Sequence, residues 1–236
     1  MTLRVAGTFL LIALLAGCST PPKGDVIASK GFEILQTMPA SDALDASDLY
    51  PFEPMRLSYR IVEPEEGQVT HTVSPAEEFD AEVMHEAGEE RTEFRSHDDE
   101  GNVVLVAVIE HGRNALTLFD PPLEIAPPQL SAGQTLRDEV RMRVVDVTNR
   151  QQQRQSGTAV RTIEYVDDQR IRTPEGDFVA KHVVIRFEAD LSLADAENVD
   201  SYWVVPGEGV VAMQLEEQIR VFGVLGNTSR RLLMRD

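Results

Sequence analysis

Cysteine is almost missing from this sequence: Cys18 is the one thiol in 236 residues. No disulfide can form within the chain, and a domain this long does not need one to hold its core. Tryptophan is as scarce, with Trp203 alone, and aromatic residues make up 6% of the chain. Basic residues are outnumbered, 22 against 40 acids, for a formal charge of −18. That excess argues against nucleic acid and anionic membrane surfaces as partners, since both are polyanions. Residues 51–100 alone carry 15 acids against 4 bases, which reads as a solvated, self-repelling face.

Catalytic and metal-binding patterns are missing too. No serine sits between the glycines of a nucleophile elbow. His85-Glu86 has no second histidine one helical turn away, and the five histidines at 71, 85, 97, 111 and 182 are dispersed along the chain. His97-Asp98-Asp99-Glu100 lacks the spaced ligands of a calcium loop and reads as a hairpin turn. Gly207 and Gly209 have no following helix to make a phosphate cradle. No catalytic, cofactor or metal residue is nominated.

One long hydrophobic run is present, Val5 to Leu15, behind the single basic residue Arg4. About 11 residues are too few to span a bilayer as a helix, and they suit the apolar region of a signal peptide. The run ends in Leu15-Ala16-Gly17-Cys18, which resembles the bacterial lipobox. The resemblance implies cleavage before Cys18, lipidation of its thiol and anchoring to a membrane. Ser19 in the next position implies sorting to the outer membrane, facing the periplasm. The inner membrane and the cell surface are the alternatives.

The expected organisation is therefore a leader over 1–17, a tether and lead-in segment over 18–54, and a β domain over 55–236. Ser41 is positioned to cap a short helix through Leu49. From Met55 onward the signal is one of strands. Met55 to Ile61 alternates, Pro64-Glu65-Glu66-Gly67 turns, and Gln68 to Val73 answers. Glu90 to His97 and Asn102 to His111 flank an acidic turn. Val103 to Ile109 has no polar side and reads as buried on both faces. Asp120-Pro121-Pro122 and Pro127-Pro128 mark a break near 120–133 between two sheet-forming halves, because proline is excluded from a central ladder. Long one-sided strands follow, with Ile185, Phe187, Ala189 and Leu191 on one face, and Val211, Met213, Leu215 and Ile219 on another. Ser192 to Asn198 is a second candidate for a short helix. The fold class is all-β, mainly antiparallel: a curved sheet, a sandwich or a flattened barrel.

Three pieces of the C-terminal half form a pattern. They are Leu130-Ser131-Ala132-Gly133-Gln134-Thr135, then Thr173-Pro174-Glu175-Gly176-Asp177-Phe178, then Tyr202-Trp203-Val204-Val205-Pro206-Gly207-Glu208-Gly209-Val210-Val211. The pattern resembles a family of uncharacterised bacterial secreted and lipoprotein β domains and covers about half the chain. The resemblance implies a fold and an envelope location and carries no reaction. Tyr202 and Trp203 are the candidate binding surface, as a platform for sugar or peptide. Their competing role is core packing, which the rarity of aromatics favours for Trp203.

Function then divides three ways. The first expectation is a non-enzymatic envelope module for interaction or assembly with another protein. The second is a carrier or sensor of an apolar ligand such as lipid, held in a curved sheet. The third is a hydrolase with an unrecognised site.

Overall fold

The computed structural model of the chain describes residues 31–221 and 224–236. The leader, Cys18 and the first part of the tether lie outside the described residues. Two short strands and one turn of helix come first: β1 (Glu33–Met38), β2 (Leu44–Asp45) and α1 (Ala46–Leu49). Then come β3 (Met55–Glu63), β4 (Gly67–Pro75), β5 (Val83–Ala87), β6 (Arg91–His97), β7 (Val103–Glu110) and β8 (Ala115–Ala126). After the two-residue β9 (Gln129–Leu130) follow β10 (Thr135–Asp146), β11 (Gln153–Thr173) and β12 (Gly176–Leu191). The last strands are β13 (Ala194–Val205), β14 (Gly209–Val221) and β15 (Val224–Arg235).

Each strand from β3 to β15 pairs antiparallel with the next, with β9 left aside, and β15 pairs back onto β3. The result is a closed barrel of twelve strands with β1 as an extra strand along the C-terminal half of β11. The all-β antiparallel expectation holds, and the closed barrel is the form it takes. The order is a simple meander, so every neighbour except the closing pair is joined by a hairpin or a short crossover.

Alternation decides the faces. Along β10, Arg137, Glu139, Arg141 and Arg143 are exposed, while Val140 and Met142 between them are buried. Along β12, Ile185, Phe187, Ala189 and Leu191 face the barrel interior, with Glu188 and Asp190 exposed outside. Such a wall is polar outside and apolar inside, the reverse of a membrane-spanning barrel. β7 is buried on both faces: Val103, Leu105 and Val108 join the main core, and Ala107 packs outside with Phe94, Leu116 and Val145.

Several expectations change. The helix occupies Ala46–Leu49, with Asp45 rather than Ser41 at its N-terminus and no side-chain cap. Ser41 instead donates its backbone N–H to the Tyr165 hydroxyl. Residues 192–198 form no helix; Ala194 onward is β13, paired along its length with β12 and β14. The segment from Phe32 to Tyr50 is part of the folded body, not a tether, because Phe32, Leu44, Leu49 and Tyr50 are all buried. The chain does not divide near 120–133: β8 runs through Pro121-Pro122 and belongs to the same barrel as the rest. The prolines fit because those two positions pair with neither β7 nor β10. Val211 faces outward, unlike Met213 and Leu215, because a bulge opposite Trp203 and Val204 shifts the register of β14.

Candidate functional site

Eight strands make a barrel whose lumen side chains can just fill, and sixteen leave a channel. Twelve lie between, so the inward side chains need not fill the lumen. One end is stoppered by the chain itself. β2 pairs with β9, the Ala46 N–H bonds to the Pro128 carbonyl at 3.0 Å, and the Asp48 carboxylate accepts the Gly207 N–H at 2.9 Å. These bonds seat Leu49 and Tyr50 in the barrel core. Above the stopper a cavity of about 1030 Å³ remains. Much of its wall is apolar, with Leu57, Phe119, Met142, Phe187, Met213 and Leu215 among the lining residues.

One stretch of wall is charged. On β6, Arg91, Glu93 and Arg95 all line the cavity, with His71 and His85 beside them on β4 and β5. Glu93 is shared: Arg91 donates to one oxygen at 3.0 Å and Arg95 to the other at 2.5 Å. Burial alone would raise the Glu93 pKa, but the two guanidiniums override it and hold the carboxyl well below the usual carboxylate range. Arg91 also donates to Glu110 at 2.8 Å. Burial nevertheless raises the Glu110 pKa.

Arginine only donates, so the 2.9 Å contact from Arg95 Nη2 makes His85 Nδ1 an acceptor. His85 then carries its proton on Nε2 and donates to His71 Nδ1 at 3.2 Å. The proton of neutral His71 is thereby placed on Nε2. Burial, aided by the Arg95 charge, lowers the His71 pKa to about 4 and the His85 pKa well below its ordinary value. Both rings are neutral at pH 7.

Three further polar groups complete this layer. Arg161 on β11 donates to the Tyr50 hydroxyl and to the Ile125 carbonyl. The Arg95 and Arg161 guanidiniums lie 4.9 and 5.6 Å from the centre of the Tyr50 ring. Asp200 on β13 is pushed by burial up to about 7, against the pull of Arg91. Tyr202, two residues on, has its hydroxyl pKa raised by burial and then by Asp200.

The far end of the barrel forms a mouth. Arg113, beyond β7, pairs with Glu217 of β14 at 3.6 Å, and Arg231 of β15 pairs with Glu90 at 2.8 Å. Around the ring, β7 and β14 are six strands apart in a barrel of twelve, so the first pair bridges opposite walls. Glu217, a charge on an otherwise apolar strand face, has its reason here.

The two candidate residues part company. Tyr202 lines the cavity. Trp203 faces the other way, fully buried in a cluster outside the wall with Phe32, Ile171, Leu232 and Met234. Its indole N–H bonds to Gln169 Oε1 at 2.8 Å and its ring stacks on His182 at 5.3 Å. Of the two roles weighed for Trp203, its position under β1 is that of core packing, and the platform alternative falls. The histidines, dispersed in sequence, are not all apart in space, since His71 and His85 meet. Sequence reasoning missed Arg91, Glu93, Arg95, Arg161 and Asp200. The available signal was a set of charges at alternate positions, Arg91, Glu93 and Arg95, which share one strand face. No protein-family model, curated protein or solved structure matches the chain.

Proposed function

We propose that the protein binds an apolar or amphiphilic small molecule inside the barrel, as a carrier or sensor. The observation that carries this reading is the cavity of about 1030 Å³, walled by apolar side chains in a barrel whose outside is charged. Its volume is at the upper end of the range of about 300–1,000 Å³ usual for small-molecule sites. Burying apolar ligand surface there returns roughly 25 cal/mol per Å². A lumen of this kind supports binding more directly than it supports catalysis, since its charged groups are largely committed to one another. The interaction-module reading has less behind it. The exposed large hydrophobics among the described residues are Val179 and Leu193, near opposite ends of the barrel. The cavity's owner is tethered through a lipidated Cys18 to the outer membrane and faces the periplasm. That part of the proposal rests on the leader alone.

The test is native mass spectrometry of the protein isolated from bacterial membranes, with solvent extraction of whatever is bound. A co-purifying lipid-like molecule is the expected result. Ala196 lines the lumen, and Ala196→Trp is expected to displace the molecule while the melting temperature stays within a few degrees. A ligand-free protein that also fails to take up a neutral apolar dye would defeat the reading. Fractionation of Cys18→Ala tests the anchor: retention as a mature, detergent-extracted lipoprotein would defeat it.

A further inference from the structure

The charged layer of the lumen holds three guanidiniums and three carboxyls, and they are unevenly paired. Arg91, Arg95 and Arg161 all line it. Against them stand Glu93, shared by Arg91 and Arg95, Glu110, paired with Arg91, and Asp200, which makes no ion pair among the described residues and which burial pushes up to about 7. Arg161 is the extreme case. It is 7% exposed, it lines the cavity, and it makes no ion pair among the described residues. Its two hydrogen bonds go to a neutral phenol and a carbonyl. A buried guanidinium with no carboxylate bonded to it is costly, and a second one, Arg95, lies against the same Tyr50 ring.

We propose that the lumen is built for an amphiphile with an anionic oxygen head group, a carboxylate or a phosphate monoester, which supplies Arg161 with the ion-pair partner it lacks. This deepens the binding reading and rests on it. The head group sits against Arg161, near Tyr50 and Arg95, and the alkyl chain fills the apolar lumen toward the mouth. A planar guanidinium suits such a head because its N–H groups donate in parallel to two oxygens. His71, with its proton placed on Nε2 by the Arg95–His85 relay, presents a donor and no acceptor in the same layer. The part of the layer formed by Arg161, Arg95 and His71 thus favours an acceptor-rich head over a cationic one.

The competing role of Arg161 is structural, as a clamp between the barrel wall and the stopper at Tyr50. Dye displacement separates the two. The full-length protein, stripped of lipid on a hydrophobic resin, is loaded with N-phenyl-1-naphthylamine, a neutral dye. Dodecanoate, dodecyl phosphate, dodecanol and dodecyltrimethylammonium then compete for the lumen at pH 6. One or both anions should bind about tenfold or more tighter than dodecanol, the weight of one charge-assisted hydrogen bond, and the ammonium should bind weakest. Preference for one anion over the other identifies the head group. In Arg161→Gln the anion preference should disappear while dodecanol keeps its affinity, and Arg161→Lys should retain part of the preference. Dodecanol binding as tightly as both anions in the unaltered protein would overturn the proposal and leave the binding reading standing. So would a loss in Arg161→Gln that falls equally on all four competitors. Failure of the dye and of all four competitors to bind would remove both readings. The comparison of head groups on the unaltered protein decides the matter even if a variant does not fold.

Discussion

At the scale of single residues, enclosure rather than sequence context sets the chemistry. Asp200 lies among Arg91, Arg161 and Glu93, with Tyr202 on its own strand and the Glu216 N–H of β14 at 3.3 Å. Its pKa rises from the ordinary 3.8 to about 7 on folding. The unfolded chain loses this proton near pH 4 and the folded one near pH 7. Asp200 therefore adds no penalty below pH 4, a growing penalty from there to pH 7, and a constant one above. Asp200→Asn should raise stability by roughly 2 kcal/mol at pH 8 and by almost nothing at pH 4. Thermal melts at several pH values check this, and an equal effect at both ends would mean that Asp200 is ionised throughout. His71 has the opposite sign. Its folded pKa is lowered to about 4, so stability is lost as pH falls from about 6.5 toward 4. His71→Gln should remove that part of the acid sensitivity. Trp203 is a packing residue, and Trp203→Ala should cost about 3–5 kcal/mol in denaturant titration. Emission from the unaltered protein should be blue-shifted and poorly quenched by iodide; ready quenching in a folded sample would contradict the burial of this ring.

At the scale of elements, the long hairpin of β11 and β12 holds the wall beside the charged layer. Gly157 faces Leu191 across it, and a Cβ at Gly157 would stand 1.8 Å from the Asp190 carbonyl oxygen. The clash is with backbone, which no rotamer change relieves. Gly157→Ala should cost about 1–3 kcal/mol, as overpacking does, and should raise hydrogen exchange at the mouth end of the hairpin. An unchanged melt would mean the strands lie farther apart there. Gly207 makes a different demand. Its φ is +78° in the turn that receives Asp48, with open space where a Cβ would go, so Gly207→Val suffers from backbone strain alone. The stopper itself is marginal as a helix, one turn without a side-chain cap. Its position depends on Leu44, Leu49 and Tyr50 burying themselves in the barrel.

At the scale of the whole molecule, closure is the decisive event. The ring shuts where β15 meets β3, through Leu232, Leu233, Met234 and Arg235 opposite Glu63, Ile61, Arg60 and Tyr59. Arg60 and Asp236, 176 positions apart in the chain, add an ion pair at 2.8 Å. The Tyr59 hydroxyl reaches over to the Val210 carbonyl at 3.1 Å. Leu232 and Met234 cover the outer cluster around Trp203, while Leu233 faces the main core. Removing residues 232–236 takes away every β3–β15 pair. The shortened protein should lose its cooperative melt and bind a dye of exposed apolar surface. A sharp transition at an unchanged temperature would mean that the barrel does not depend on this seam.

Local pattern was enough to read the strand content, the hairpins and the two-faced character of the longest strands, because period-two alternation is a property of consecutive residues. The Val103–Ile109 run was legible because it has no polar side, and the placement of Trp203 in a core because so large a ring is scarce in this chain. The number of strands in the ring was not, because it depends on β3 meeting β15 across nearly the whole chain. The cavity was not legible either. A sandwich and a barrel ask for the same alternation, and only closure at twelve strands leaves a space that side chains cannot fill. β6 shows the limit most clearly. Charges at 91, 93 and 95 beside Phe94 suggest that Phe94 points inward, yet it packs outside against Phe79 while the charges enter the lumen. They are tolerated there because Glu93 bonds to both Arg91 and Arg95, a compensation that exists only once the strand has curled into the wall.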